Sequence, residues 1–78
     1  MPLFFLHMYS DERIEDFEGL FLEDAEAARH EAVRNARDIL AEELRHGRLP
    51  LKGRIEVADE NGQPILAVPF REAVQIVR

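Results

Sequence analysis

The side chains of this sequence that could take part in catalysis are few. It contains three histidines, one tyrosine (Tyr9), one serine (Ser10), one lysine (Lys52) and no cysteine. A covalent mechanism would depend on Ser10, with nearby His7 as its base. The residues around Ser10 form an acidic turn, without the nucleophile turn and the oxyanion-hole glycines that such a mechanism needs. Serine is common in turns, so we predict that this protein is not an enzyme.

Two groups of residues match ion-binding sites only in part. His30 follows Glu26 by four positions, which places both on one face of a helix, but two ligands do not complete a metal site. The acidic residues between 11 and 18 lack the alternating oxygen ligands and the central glycine of a calcium-binding loop. Without cysteine there is no thiolate zinc or iron–sulfur site. We therefore predict no metal and no cofactor.

Charge is distributed unevenly along the chain, whose formal charge is −6 over 78 residues. Residues 11–26 contain eight acids against Arg13 alone, whereas residues 45–54 contain four cations and no acid. This pattern predicts a molecule that is polar from end to end and suited to oriented association, although ordinary solubilising charge explains it equally well. The basic stretch lacks interleaved aromatic residues, and the net negative charge disfavours binding of nucleic acid.

One long amphipathic helix, from Asp24 to His46, is the main element that must position these residues. Asp24 suits the N-cap because its carboxylate can accept a bond from a free backbone N–H. Gly47 suits the left-handed turn that closes a helix. Apolar residues recur at helical spacing along one stripe, which must pack on a sheet: Ala25, Ala28, Ala32, Val33, Ala36, Ile39, Leu40 and Leu44.

Four strands are predicted around this helix, from apolar runs and alternation: residues 3–9, 19–22, 54–58 and 65–68. Asn61 and Gly62 predict a hairpin between the last two strands, and Pro69 ends the last strand or places it at an edge. Residues 71–77 could add one or two helical turns. The predicted fold is a single α+β domain over residues 1–78, ordered β-β-α-β-β, with the helix across one face of a small antiparallel sheet.

Alternation divides the predicted strands between two faces of the sheet. The helix should cover one set of apolar residues: Phe4, Leu6, Met8, Leu20, Leu22, Ile55, Val57, Leu66, Val68 and Phe70. The other face should display a second set: Leu3, Phe5, His7, Tyr9, Phe21, Ile65 and Ala67. Apolar residues gathered on an exposed surface usually mark an interface. The alternative is that the C-terminal segment, with Val74, Ile76 and Val77, folds back over this second face.

We favour an interface between molecules, formed by Phe5, His7, Tyr9, Phe21 and Ile65. It would join two copies of the chain or bind a small protein partner. His7 on this face is either a partner contact or a pH-sensitive group, but a half-exposed histidine packed on aromatic rings explains its position more simply.

The chain resembles a family of short, acidic bacterial proteins of unknown function. The shared pattern runs through nearly the whole sequence: residues 4–7 (Phe-Phe-Leu-His), Glu18–Gly19, the Asp-capped, alanine-rich residues 24–29, residues 59–62 (Asp-Glu-Asn-Gly), Val68-Pro69-Phe70 and Ala73–Val74. Phe21 departs from it, since similar sequences tend to be polar at this position. The resemblance implies the fold and no activity.

The first half of the chain is also similar to antitoxins of the HicB type, through its acidic stretch, Gly19 and residues 24–28. Those proteins neutralise a small RNA-cleaving toxin. This similarity implies an alternative function, an antitoxin-like regulator that binds a basic protein partner through the acidic segment 11–26. Unlike those proteins, the sequence shows no appended DNA-binding segment.

The longest apolar run, residues 3–6, is too short to cross a bilayer or to form a signal-peptide core. The sequence therefore predicts a small cytoplasmic domain. Its predicted function is protein association, as a homodimer through the face of the sheet that the helix leaves open.

Overall fold

The first strand of the chain pairs with three of the other four strands of the sheet. The computed structural model describes residues 1–78. In chain order its elements are β1 (Leu3–Tyr9), β2 (Arg13–Ile14), β3 (Leu20–Phe21), α1 (Ala25–Arg45), β4 (Arg54–Ala58), β5 (Pro64–Pro69) and a 3-10 turn (Phe70–Glu72). The α+β class and the strand–helix–strand arrangement are confirmed, with one strand, β2, more than predicted.

Helix α1 begins and ends where its caps predict. The Asp24 carboxylate accepts the backbone N–H of Ala27 at 2.8 Å. At the other end Gly47 has φ +79°, and its N–H donates to the carbonyl of Leu44 at 2.9 Å. Local chemistry therefore fixes both ends of the helix.

The sheet is antiparallel, and β1 is its central strand. Strand β4 pairs with β1 from Phe5↔Ala58 to Tyr9↔Arg54, and β5 pairs with the far side of β4. Strands β2 and β3 share the other side of β1, β3 at its start and β2 at its end. Both outer edges are short or interrupted, because β2 and β3 have two residues each and prolines bracket β5. Such edges resist the addition of further strands.

Strand β2 lies inside residues 10–16, which the sequence predicts to be only a turn. A two-residue strand shows no alternation, and it forms here because Met8 and Tyr9 of β1 pair with it. The predicted hairpin is confirmed: Gly62 has φ +82°, and the Asp59 carboxylate accepts the N–H groups of Asn61 and Gln63, each at 2.9 Å.

The core lies between α1 and the sheet. Its buried residues on the helix are Ala28, Ala32, Ala36 and Leu40, and those on the sheet and the 3-10 turn include Phe4, Leu6, Ile55, Val57, Val68 and Phe70. Alanine has a short side chain, so the backbone of α1 approaches the sheet closely along its first half. No polar or charged residue is buried.

Three residues predicted on the covered side are exposed instead: Ala25, Leu20 and Leu44. Ala25 and Leu44 lie in the end turns of a 21-residue helix, which is about 31 Å long and extends beyond the strands beneath its middle. Leu20 lies on a two-residue edge strand, where less of the helix covers it.

The C-terminal segment does not cover the opposite face of the sheet. It forms one 3-10 turn, Phe70–Glu72, where the sequence predicted one or two helical turns over residues 71–77. The carbonyl of Ala73 accepts a bond from Arg37 Nε of α1 at 2.7 Å, which holds the segment on the helix side. Val74, Ile76 and Val77 are exposed. Neither α1 nor the 3-10 turn is long and apolar enough to cross a membrane.

Candidate interaction surface

The pairing register defines a surface, here called the open face, on the side of the sheet away from α1. Strand β1 places Leu3, Phe5, His7 and Tyr9 there, because Phe4 and Leu6 point into the core. Residues paired with these on neighbouring strands extend the surface: Arg13, Phe21, Arg54 and Glu56. Ala58, the partner of Phe5, is buried. Ala67 joins the surface as the partner of Glu56 on β5. The predicted face is therefore formed by the sheet as a continuous surface.

Of the five residues predicted at the interface, four lie on the open face: Phe5, His7, Tyr9 and Phe21. Ile65 lies at a register irregularity, where Leu66 and Pro64 pair with the consecutive residues Val57 and Ala58. Strand alternation therefore does not assign Ile65 to either face. Its exposed fraction is 42%.

One half of the open face is apolar. Phe21 of β3 pairs with Leu3 of β1 and has 66% of its surface exposed. Phe5 lies beside them on β1, and its ring is parallel to that of His7, with centroids 6.3 Å apart. Phe21 is therefore exposed beside Leu3 and Phe5, which are half-buried. Association would cover this apolar ring.

The other half of the open face is charged but internally paired. The guanidinium groups of Arg13 and Arg54 lie 5.2 Å and 4.6 Å from the centroid of the Tyr9 ring, within the range of cation–π attraction. Arg13 pairs with Glu15 at 2.8 Å and Arg54 with Glu56 at 3.8 Å. Each arginine thus has an acidic partner, and this part of an acidic protein carries no excess charge.

Neither arginine is among the residues that the sequence predicts at this surface. Arg54 follows Tyr9 by 45 positions, and only the β1–β4 register brings them together. The signal was the alternation of residues 54–58, which places Arg54 on the same face as Glu56.

Asp16 fastens the loop between β2 and β3 to the middle of β1. Its carboxylate accepts the backbone N–H groups of Leu6, Glu18 and Gly19 at 3.0–3.2 Å. Its own N–H donates to Nδ1 of His7 at 3.0 Å. Partial burial by itself raises the pKa of the Asp16 carboxyl, but the three N–H bonds and the nearby His7 outweigh it, so that pKa lies below its ordinary value. The loop is thereby attached where no strand pairs with β1.

The predicted role of His7 is tested by this geometry only in part. Its ring is half-buried and stacks on Phe5, as expected for a histidine packed on aromatic rings. Because Nδ1 accepts the Asp16 N–H, it cannot at the same time accept a proton from Ser10. Ser10 lies in the predicted turn, where its backbone N–H donates to the carbonyl of Glu12 at 2.9 Å.

The candidate ion sites stay incomplete. His30 and Glu26 form an exposed pair on α1 with 3.5 Å between nitrogen and oxygen. No three histidine, aspartate or glutamate side chains come close enough together to hold a metal ion.

The two oppositely charged stretches meet at one end of the molecule. Arg48 pairs with Asp11 at 3.1 Å and with Glu43 at 3.3 Å. The prediction that the molecule is polar from end to end is therefore wrong, because the loop after α1 turns back to the end of β1. Within the acidic segment 11–26, Asp16 and Asp24 are also engaged by backbone N–H groups.

Comparison with known proteins shows the family to which the chain belongs. The family model described as a domain of unknown function, DUF6894, matches residues 3–71, which include all five strands and α1. No curated protein and no solved structure matches the chain. The match agrees with the resemblance to a family of unknown function, and nothing in the comparisons supports the similarity to HicB-type antitoxins.

Proposed function

We propose a protein-association role for this chain, which belongs to the DUF6894 family of domains of unknown function: it forms a homodimer through its open face. The observation that carries the proposal is the apolar cluster of exposed Phe21 with half-buried Leu3 and Phe5, on the sheet face that α1 does not cover. Packing two such clusters together removes apolar surface from water, which is the main driving force for association.

A second copy of the chain suits this surface in charge. The chain as a whole carries −6, so most pairs of surfaces on two copies repel each other. The open face is an exception, because Arg13 and Arg54 offset Glu15 and Glu56. Two copies approach through this face at the smallest electrostatic cost.

Face-to-face contact is favoured over contact between strand edges. Pro64 and Pro69 bracket the outer strand β5, and the opposite edge has only the two-residue strands β2 and β3. Proline has no N–H to donate to a further strand, so the edges offer few pairing sites.

The alternative, binding of a basic partner through the acidic segment 11–26, stays a prediction with less support. The carboxylates of Asp16 and Asp24 bond backbone N–H groups, and those of Asp11 and Glu15 pair with arginines. These internal partners reduce the free negative surface. A non-catalytic role and a cytoplasmic location belong to the same proposal.

The test is the mass in solution of the unmodified chain and of two variants, measured by light scattering over a range of concentrations. Phe21→Asp puts a charge into the apolar cluster. Ile76→Asp is the matched control. Ile76 is 64% exposed, close to the 66% of Phe21, but it lies in the C-terminal segment. We expect a dimer for the unmodified chain and for Ile76→Asp, and a monomer for Phe21→Asp.

Circular dichroism shows whether the variants are folded. A folded Phe21→Asp variant that dimerises as the unmodified chain does would contradict the proposal, as would an unmodified chain that is monomeric at every concentration.

A further inference from the structure

A groove at one end of the molecule is lined by more cations than acids, whereas the chain as a whole is acidic. It has a volume of about 680 Å³ and lies where β1 ends, β4 begins and the loop 47–53 returns from α1. Three cations line it, Arg48, Lys52 and Arg54, against one acid, Asp11. The lining is therefore positive in a protein of net charge −6, although Glu43 and Glu56 outside the lining pair with Arg48 and Arg54.

The groove has a rigid base. Gly53 is buried, and a Cβ atom at this position would lie 2.4 Å from the Phe70 ring and 3.1 Å from Cβ of Ser10. The Gly53 carbonyl accepts the Phe70 N–H at 2.8 Å, and the Arg48 N–H bonds the carbonyl of Glu43 at 2.9 Å. The loop that carries the cations is therefore held in place before any ligand arrives, which lowers the cost of binding.

The three cations differ in how far they are neutralised. Arg48 is shared between Asp11 and Glu43, and Arg54 has a loose contact of 3.8 Å with Glu56. Lys52 is exposed and forms no ion pair. The ammonium of Lys52 is thus free to donate to an anion, and the guanidinium of Arg54 keeps N–H donors beyond its loose contact with Glu56. The side chain of Ser10 lines the same groove.

We infer that this groove binds a phosphate group, either free or carried as a monoester on a small molecule. Lysine offers a point charge and arginine a planar pair of donors, a combination that suits the several oxygens of a phosphate dianion. A longer polyanion such as nucleic acid is not favoured, because the acids surrounding this single groove repel it. Tyr9 and Arg54 belong both to the groove and to the open face, but the inference does not rest on the proposed dimer.

The test is titration of the ¹⁵N-labelled chain, observed by NMR at constant ionic strength, with two probes: inorganic phosphate and glycerol 3-phosphate. We expect saturable shifts of the amide signals of Ser10, Lys52 and Gly53, with a dissociation constant in the millimolar range. Tighter binding of glycerol 3-phosphate indicates that the natural ligand is a monoester. Equal or tighter binding of inorganic phosphate indicates the free ion.

Charge variants show whether the groove itself is responsible. Lys52→Ala should weaken binding about tenfold, the usual effect of losing one hydrogen bond to a charged group, and Lys52→Arg should restore most of it. Asp11→Asn should strengthen binding, because it removes the only acid in the groove. Arg29→Ala is the matched control, since Arg29 is an exposed cation on α1 outside the groove.

Two results would overturn the inference. One is the absence of saturable shifts with either probe. The other is equal weakening by Lys52→Ala and Arg29→Ala, which would indicate attraction by overall charge and no site. Repeating the titration on the Phe21→Asp variant separates this result from the dimer, because that substitution lies outside the groove.

Discussion

The two faces of the sheet contain similar residues with opposite surroundings. On the covered face, Phe4 is 5% exposed and Phe70 is fully buried, whereas Phe21 on the open face is 66% exposed. Phe4 and Phe5 are neighbours on β1, and their side chains point to opposite faces. The difference arises because α1 packs on only one side of the sheet, where its alanines let it approach closely. Residue type therefore does not decide which aromatic residue forms the core.

The faces also differ in how they treat charge. No charged residue is buried on the covered face, so its stability comes from packing. The open face holds two arginines around Tyr9 and an aspartate that fastens a loop to β1. The covered face therefore determines whether the chain folds, whereas the open face is the proposed association surface.

The largest expected effect separates the two faces directly. Phe70→Ala should lower the free energy of unfolding by about 3–5 kcal/mol, because it leaves a cavity in the core. Phe21→Ala should change it by less than about 0.5 kcal/mol in a dilute, monomeric sample, because the ring is exposed to solvent. Urea unfolding measures both. Equal losses for the two variants would contradict the division of roles.

A smaller loss is expected where the covered face meets the loop 47–53. Gly53→Ala should lower the free energy of unfolding by about 1–3 kcal/mol, the usual cost of overpacking, because the added Cβ would lie 2.4 Å from the Phe70 ring. In the double variant with Phe70→Leu, the two losses should be less than additive. Additive losses in urea unfolding would show that the two residues do not compete for space.

On the open face, Asp16 should give a pH-dependent loss. Its folded-state pKa lies below the ordinary value of 3.8, so its contribution is present above that pH and is lost as the pH falls through the folded-state pKa. Asp16→Asn should therefore lower the free energy of unfolding by about 1 kcal/mol near pH 6. The difference from the unmodified chain should shrink toward pH 3. A difference that does not depend on pH would indicate that the carboxylate charge has no part in fastening the loop.

The smallest effect should be that of salt on the dimer. Raising sodium chloride from about 0.1 M to about 1 M should change the dissociation constant less than about threefold, because the arginines of the open face already have internal partners. Light scattering on a dilution series measures it. A strong weakening by salt would favour charge-driven association through the acidic segment.

The parts of the fold that local chemistry specifies could be predicted from the sequence. Asp24 begins the helix and Gly47 ends it through bonds within a few residues. Asn61 and Gly62 close the hairpin in the same way. Strand β2 could not be predicted, because Arg13 and Ile14 are extended only by pairing with Tyr9 and Met8.

The candidate surface could be predicted only as far as alternation extends. It places Phe5, His7 and Tyr9 on one face of β1, but it fails for Ile65, where the register of β5 shifts. The pairing of Tyr9 with Arg54, and of Asp11 with Arg48, depends on chain reversals that no local pattern records. For the same reason the groove beside Lys52 had no signal in the sequence beyond a run of cations.

The most direct test of the open face as the association surface is an isotope-filtered NOE experiment on an equal mixture of ¹³C-labelled and unlabelled chains. It detects only contacts between one copy and the other. A dimer through the open face should give intermolecular NOEs that involve the ring protons of Phe5 and Phe21 and the methyl protons of Leu3. Intermolecular NOEs that come only from α1 or from the C-terminal segment would contradict this proposal. So would the absence of any intermolecular NOE at the highest concentration used for light scattering.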